Sequence, residues 1–439
     1  MALSSSLSFY VFAHLDGEFV PAGILDLIEQ ANQLTASAFA YGQRYIERPN
    51  TIEIDPVGLS LQDKSLVRGK LLVPPNGLVF FGGIRDATPD AWGRRVIESR
   101  HQVPANSLPE STYLIEAGSE RVGALDVRHS LTSPANIVQG SIHSLNYLME
   151  AAERIESGLN IPERLAEIFV TGSGLGGMRP KVSIRDDDQV LWLAKFSSHN
   201  DHLIDVPMIE QATLQLAGLA GLKIPETKLI RVKNKNVLLI RRFDRSWTAS
   251  KISANKPIEI RHHMVSALTL LACDELDSPT KSYMDIVSAI RRYGATAFIK
   301  DDIEELYARM IFNIMVSNDD DHLRNHAFLW DMASRGWCLS PLYDVMPRAS
   351  LASERFLHLG LGPKGRLADL DNAYAAKERF GLLSADALSI IDHIWQTVRE
   401  WKVHFEKFGV LPEQIDRIAP AFRHINDISS ANLRKLLKS

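Results

Sequence analysis

A largely apolar run, Met310 to Val316, empties into a sharply polar loop, Asn318-Asp319-Asp320-Asp321-His322-Leu323-Arg324-Asn325. A strand-like segment then leads to Ser340-Pro341-Leu342-Tyr343-Asp344. The loop offers an aspartate, an asparagine five residues later, and a further aspartate beyond the strand. A phosphoryl-transfer centre needs these groups in this order. One carboxylate accepts the proton of the attacking hydroxyl, and an amide oxygen and a second carboxylate hold magnesium on nucleotide phosphates. The triple aspartate is ambiguous, and the spacing to Asn325 selects Asp320 as the base. The plainer reading of the loop alone is an acidic, solvated turn that caps a helix, and the spacing favours the chemical one.

The chain has 439 residues, enough for two or three domains and a large core. Its 49 basic and 53 acidic residues leave a net charge of −4, so the overall balance does not point to nucleic acid as the main partner. Arg94, Arg95 and Arg100, and the pair Arg291-Arg292, are local basic groups that solvated faces explain equally well. The two cysteines, Cys273 and Cys338, make neither a disulfide framework nor a thiolate metal site, and the expected home is a reducing cytoplasm. The segment Ser8 to His14 reads as a strand and then a turn, since it lacks a basic leader. No run approaches the roughly 18 apolar residues of a membrane helix, so no membrane partner is expected.

The expected fold class is α+β, in three units. Residues 1–130 read as a mixed unit with short β-type runs at Leu71-Leu72-Val73 and Val79-Phe80-Phe81, and a closing strand between Glu120 and Val127. Within it, Asp90 reads as the cap of a helix whose apolar face is Trp92, Val96 and Ile97. Residues 131–255 begin mainly helical to about residue 165. They continue as a β-rich lobe with a glycine loop, two strands joined across Asp186-Asp187-Asp188, an amphipathic helix, and strands at Thr227–Val232 and Asn236–Ile240. Residues 256–439 read as almost wholly helical from about residue 260. A β-rich lobe followed by a helical lobe carrying the acid loop is a two-lobe order with nucleotide between.

The segment TGSGLGGMRPK has glycines at Gly172, Gly174, Gly176 and Gly177. Such positions let backbone amides approach phosphates, with Arg179 and Lys181 adding positive charge. No Gly-Lys-Ser/Thr follows, so this is no Walker A loop, and by itself it reads as well as a hairpin turn. Lys195 sits in the apolar strand LWLAKF, where burial requires a partner. It is the candidate phosphate-binding lysine, and Glu210 on the next helix is the candidate group that orients it. An edge-strand lysine and a surface glutamate are the plainer readings. Arg241-Arg242-Phe243 follows the strand VLLI, where the connector between lobes binds adenine; Phe243 fits either a base-covering or a core role. Asp320 reads as general base, Asn325 as a magnesium ligand and Asp344 as the principal magnesium ligand. His322 reads as a hydrogen bonder that shapes the loop. No second histidine cluster supports a metal hydrolase.

Together GGMRPK, LAKF, LLIRRFDR, NDDDHLRN and SPLYD resemble the HipA-type serine/threonine kinases, the toxins of bacterial toxin–antitoxin modules. TPDAWGRR and GSERVGALDV resemble the N-terminal motifs of that family, so the likeness covers about residues 8–430. It implies a HipA-like, two-lobed, protein-kinase-like fold with an N-terminal α+β subdomain and an all-helical C-terminal lobe. It implies ATP and Mg2+ as cofactors. The catalytic group would be Asp320, Asn325 and Lys195. Gly174, Gly176, Gly177, Lys181, Lys195, Glu210, Arg241 and Phe243 would lie around nucleotide, and Asn325 and Asp344 around metal. It further implies a protein substrate such as an aminoacyl-tRNA synthetase, growth arrest or persistence as the outcome, and a HipB-like antitoxin through which DNA would mainly be contacted. Family members are silenced by autophosphorylation of a glycine-loop serine. That position falls on Gly174 here, which leaves Ser173 as the candidate. Its phosphate would bring negative charge to the place of the ATP phosphates. An aminoglycoside-type small-molecule phosphotransferase and a catalytically dead scaffold or corepressor are the competing readings.

Overall fold

A computed structural model describes residues 4–137, 140–170, 177–248 and 258–437. The first three strands are long and antiparallel: β1 (Ser4–Leu15), β2 (Glu18–Gln30) and β3 (Gln33–Tyr41). With β4 (Leu125–Arg128) they form a sheet in the order β3-β2-β1-β4. Leu25 and Leu27 of β2 point inward, while Ile24, Asp26 and Ile28 alternate with them on the other face. The helix Ala91–His101 follows, and Asp90 caps it by accepting the Gly93 N–H at 2.9 Å. Its Trp92, Val96 and Ile97 are buried, as the spacing predicts.

A five-stranded sheet forms the small lobe. It contains β5 (Gly140–Ser141), β6 (Lys181–Arg185), β7 (Leu191–Lys195), β8 (Thr227–Val232) and β9 (Lys235–Arg241), ordered β5-β6-β7-β9-β8. The β6–β7 turn is closed by Asp186, whose carboxylate accepts the Val190 N–H and the Trp192 indole N–H at 2.9 and 2.8 Å. The helix Val206–Leu219 packs against β9 and starts at Asp205, which accepts the Met208 N–H. A hairpin, β10 (Arg245–Thr248) and β11 (Ile258–Arg261), leads toward the large lobe. That lobe is mainly helical, led by Tyr283–Tyr293, Ile299–Val316 and Ser384–Val398. It also carries a small sheet of β12 (Met264–Ser266), β13 (Ala327–Asp331) and β14 (Gly336–Leu339). Strands of three to five residues are too short for a period-two pattern to stand out in the sequence.

Other elements differ in extent from the sequence reading. Leu72 alone bridges to Phe39, and Leu71 and Val73 are exposed where Pro74-Pro75 stops pairing. Phe80 and Phe81 are both buried but pair with no strand among the described residues, and they lead instead into a helical turn at Gly82–Arg85. The strand expected from Glu120 narrows to Leu125–Arg128, because Glu120 to Gly123 supply buried charge and a turn. Between 131 and 170 two helices, Leu145–Glu156 and Glu163–Val170, follow the short β5 and precede β6. One apolar core runs from Phe9 in the first sheet to Leu437 in the large lobe. A second fills the small lobe and draws in Trp92 from the N-terminal helix.

Candidate active site

The small lobe brings two lysines to one face. In the antiparallel β6–β7 pair Lys181 stands opposite Lys195, so both side chains project the same way. Lys195 is buried, and its Nζ lies 2.5 Å from Glu210 Oε1 and 2.8 Å from Asp344 Oδ1. Burial alone would lower the lysine pKa, but Asp344 and Glu210 outweigh it and hold the ammonium above its usual range. Burial raises the Glu210 carboxyl, against the pull of Lys195. Asp344 is also penalised by burial, yet the Lys195 ammonium keeps its carboxyl below the usual range. The three side chains are thus interlocked, with the Lys195 ammonium bridging the two carboxyl groups. Lys181 Nζ meets Asp90 Oδ2 at 2.7 Å and the Gly177 carbonyl at 3.0 Å. Asp90 thus does two things: it caps its helix and binds a lysine 91 positions away. The sequence signalled only the first.

Gly177 has φ +97°, a conformation costly for any residue with a Cβ. A Cβ there would lie 3.3 Å from Lys181 Nζ and 3.8 Å from Asp344 Oδ2, so this backbone faces both charged groups. Ser173, Gly174 and Gly176 lie outside the described residues.

The large lobe supplies the rest. The helix Ile299–Val316 ends at Ser317 in the left-handed conformation, φ +52°, and the Asn318 N–H returns to the Asn313 carbonyl at 3.0 Å. This turns the chain sharply into the polar loop. The Asp320 side chain is 60% exposed, and His322 Nε2 is 3.9 Å from its Oδ1. Asn325 is buried; its Nδ2 donates to the Asp320 carbonyl at 2.7 Å. Its Oδ1 is buried and has no hydrogen-bond partner among the described residues. A buried amide oxygen left open in this way suits a cation. The Asp344 side chain is 26% exposed and sits on a backbone with φ +56°, an unusual conformation for aspartate that also marks functional sites. Among the described residues no three His, Cys, Asp or Glu side chains cluster as a metal site. A hard divalent ion here would rest on Asn325 Oδ1 and Asp344, completed by phosphate and water oxygens.

Between the lobes, Leu193, Lys195, Ile240, Arg241, Arg242, Phe243 and Tyr343 line a narrow apolar slot of about 10 Å³, room for a single water. The rings of Phe243 and Tyr343 lie 5.6 Å apart. Arg241 is on this slot, but its guanidinium pairs with Glu226 at 3.1 Å. Arg242 is fully buried in an ion network with Asp244, Arg245, Arg261 and Glu120. Sequence reasoning passed over Glu120, Asp244, Tyr343 and Asp321; only the density of charge in RRFDR hinted at the network.

A sequence model described as the HipA-like C-terminal domain matches residues 173–402. A protein of Sinorhizobium fredii named "Putative kinase Y4mE" is 23% identical over 355 residues, covering 76% of this chain and 77% of its own. The HipA protein of Shewanella oneidensis, solved with HipB and its operator DNA, superposes with a TM-score of 0.65 at 16% identity. That superposition covers 93% of this chain and 94% of that one. No helix among the described residues is long and apolar enough to cross a membrane. With a family match over more than half its length and a two-lobed, kinase-like fold, the chain belongs to the HipA-like family.

Proposed function

We propose that this protein is an Mg-ATP-dependent serine/threonine protein kinase and the toxin of a toxin–antitoxin pair. The observation that carries the reading is the Lys195 ammonium, held between Glu210 at 2.5 Å and Asp344 at 2.8 Å. A lysine fixed in this way is ready to grip the α and β phosphates of ATP. Gly177, with Gly174 and Gly176, would cradle phosphate through backbone amides, and Lys181 would add charge. Phe243, with the Arg241 backbone, would border adenine once the slot widens. Asn325 and Asp344 would hold magnesium, whose role is to neutralise phosphate charge. Asp320 is exposed enough to meet an incoming hydroxyl and take its proton. The rate gain would come from positioning and charge, with little covalent chemistry by the protein. Ser173 would be the autophosphorylation site.

The three units would divide this work: residues 1–130 for protein contacts, 131–255 for nucleotide and 256–439 for base and metal. The Shewanella relative was solved with HipB and operator DNA, which supports a HipB-like antitoxin as partner, with DNA reached mainly through it. A translation protein such as an aminoacyl-tRNA synthetase is the expected substrate, in the cytoplasm, with growth arrest or persistence as the outcome.

The test is incubation of purified protein with Mg-ATP and a bacterial lysate, beside Asp320→Gln, with phosphosites mapped by mass spectrometry. A new site on a translation protein, absent with the variant, is the expected result. Phosphate on a small molecule would favour the small-molecule phosphotransferase. No phosphate and no ATP binding would favour the scaffold.

A further inference from the structure

The Asp319-Asp320-Asp321 run sets three neighbouring carboxylates in three environments. Asp319 pairs with Arg348 at 3.1 Å, Asp320 opens to solvent, and Asp321 is 1% exposed. The chemistry proposed above uses only the second. Burying a carboxylate is costly unless its oxygens are satisfied, so Asp321 needs an explanation. Its Oδ2 accepts the Tyr283 hydroxyl at 2.7 Å, and its Oδ1 accepts the His358 backbone N–H at 2.7 Å. Tyr283 Oη accepts from Asn313 Nδ2 at 3.0 Å, and Asn313 Oδ1 accepts from Asn318 Nδ2 at 3.1 Å. Asn318 Oδ1 in turn accepts the Met346 N–H at 3.4 Å. These bonds leave the polar loop at Asp321 and return to it at Asn318. On the way they pass through two helices, and they branch twice to the segment after Asp344.

We infer that Asp321 is a positioning residue, holding the loop that carries Asp320 and Asn325 in register with the segment that carries Asp344. The inference rests on the kinase reading above, since it concerns how base and metal ligands are aligned. Asp321 acts through the His358 N–H and the Tyr283 hydroxyl, and touches no reacting atom itself.

The ionisation of Asp321 makes this role measurable. Burial pushes its carboxyl up to about 7, opposed by the bonds from Tyr283 and His358. The groups facing it are few. Tyr283 comes from one helix, and Arg309 on the next helix acts on Tyr283. The His326 ring packs on Tyr283 at 5.4 Å and is kept neutral by burial. Asp320 and His322 adjoin it along the loop, and the His358 ring is lowered by burial. Protonation turns one acceptor oxygen into a donor, which weakens one of the two bonds. Register therefore tightens as pH rises through about 7. Fold stability moves oppositely: a raised carboxyl favours the folded state at low pH, and this contribution is lost as pH rises from the usual carboxylate range through about 7.

The experiment compares wild type, Asp321→Asn and Tyr283→Phe as full chains. Three readouts are taken from pH 5.5 to 9: phosphate transfer in lysate, thermal unfolding, and calorimetric binding of a non-hydrolysable Mg-ATP analogue. The wild type should gain kcat and lose unfolding temperature, relative to Asp321→Asn, across the same pH range. Asp321→Asn should lose at least tenfold in kcat at pH 8, keep its KM for ATP within twofold, and lack the acid limb near pH 7. Its His358 amide should exchange hydrogen faster. Tyr283→Phe should fall between, with the limb retained. An Asp321→Asn enzyme with wild-type kcat and limb overturns the inference while the kinase reading stands. So does a parallel loss of kcat, nucleotide binding and unfolding temperature in both variants. A wild type that transfers no phosphate overturns the kinase reading and this inference with it.

Discussion

Lys181 and Lys195 face each other across β6 and β7, and each is answered by a different part of the chain. Lys195 is held by Glu210 and Asp344, and Lys181 by Asp90 from the N-terminal unit. Like charges directly opposite in a sheet repel, so the pair persists because carboxylates from three elements converge on it. Asp90→Asn should weaken this arrangement. The expected loss is about 1–3 kcal/mol, read from urea unfolding, with a higher KM for ATP. An unchanged urea midpoint would remove Asp90 from the account.

Glu210 keeps Lys195 in place. In Glu210→Gln, Asp344 becomes the remaining carboxylate of the triangle and should draw the lysine toward itself. The expected effect is a fall of roughly 10- to 100-fold in kcat/KM for ATP, equivalent to about 1.4–2.7 kcal/mol of lost transition-state binding. Steady-state kinetics with varied ATP decides it, and a variant with the wild-type ratio would deny Lys195 its orienting partner.

Glu120 gives the fold an acid limit. Burial would raise its carboxyl, but Arg261, Arg245, Arg242 and Arg185 outweigh burial and bring it down to about 2 from the ordinary 4.5. A depressed carboxylate stabilises fully above its unfolded value, and the contribution is lost as pH falls from 4.5 through 2. The difference corresponds to about 3 kcal/mol. Stability against urea, measured between pH 6 and 2, should fall less steeply in Glu120→Gln than in wild type, from a lower starting point.

Phe243 borders the slot between the lobes beside Tyr343. A ring that stacks on a base contributes about 1–3 kcal/mol. Phe243→Ala should therefore raise the KM for ATP about tenfold with a small change in kcat. A KM that stays put would make Phe243 a packing residue.

The candidate site was legible where a spacing suggests chemistry. Asp320, Asn325 and Asp344 announce themselves by order, and Lys195 by its charge in an apolar strand. Two strands of the small lobe followed from short β-type runs between turns, and the helix after Asp90 from its cap and apolar spacing. What stayed hidden depends on distance along the chain. Asp90 binds Lys181 across 91 positions, and Asp321 meets Tyr283 across 38. No local pattern distinguishes Asp321 from its two neighbours; only the fold decides which of the three turns inward. Of the small β12–β14 sheet the sequence showed only a strand-like segment before Ser340, since β12 pairs with β13 across about 60 positions and its three residues carry no pattern of their own.

The buried charges after β9 bear on where this protein can be cut. Arg242 donates to the Arg121 carbonyl, and Arg245 to the carbonyls of Arg121 and Gly123 and to Glu120. Asp244 accepts the Gly123 N–H at 2.8 Å. The family match begins at residue 173, yet these partners all lie before it. A fragment starting there would keep Asp244 and Glu259 beside Arg242, Arg245 and Arg261 but lose Glu120 and the carbonyls of Ser119, Arg121 and Gly123. The recognisable half of the chain thus shares its connector with residues 119–123, and a cut at residue 173 would break that buried network.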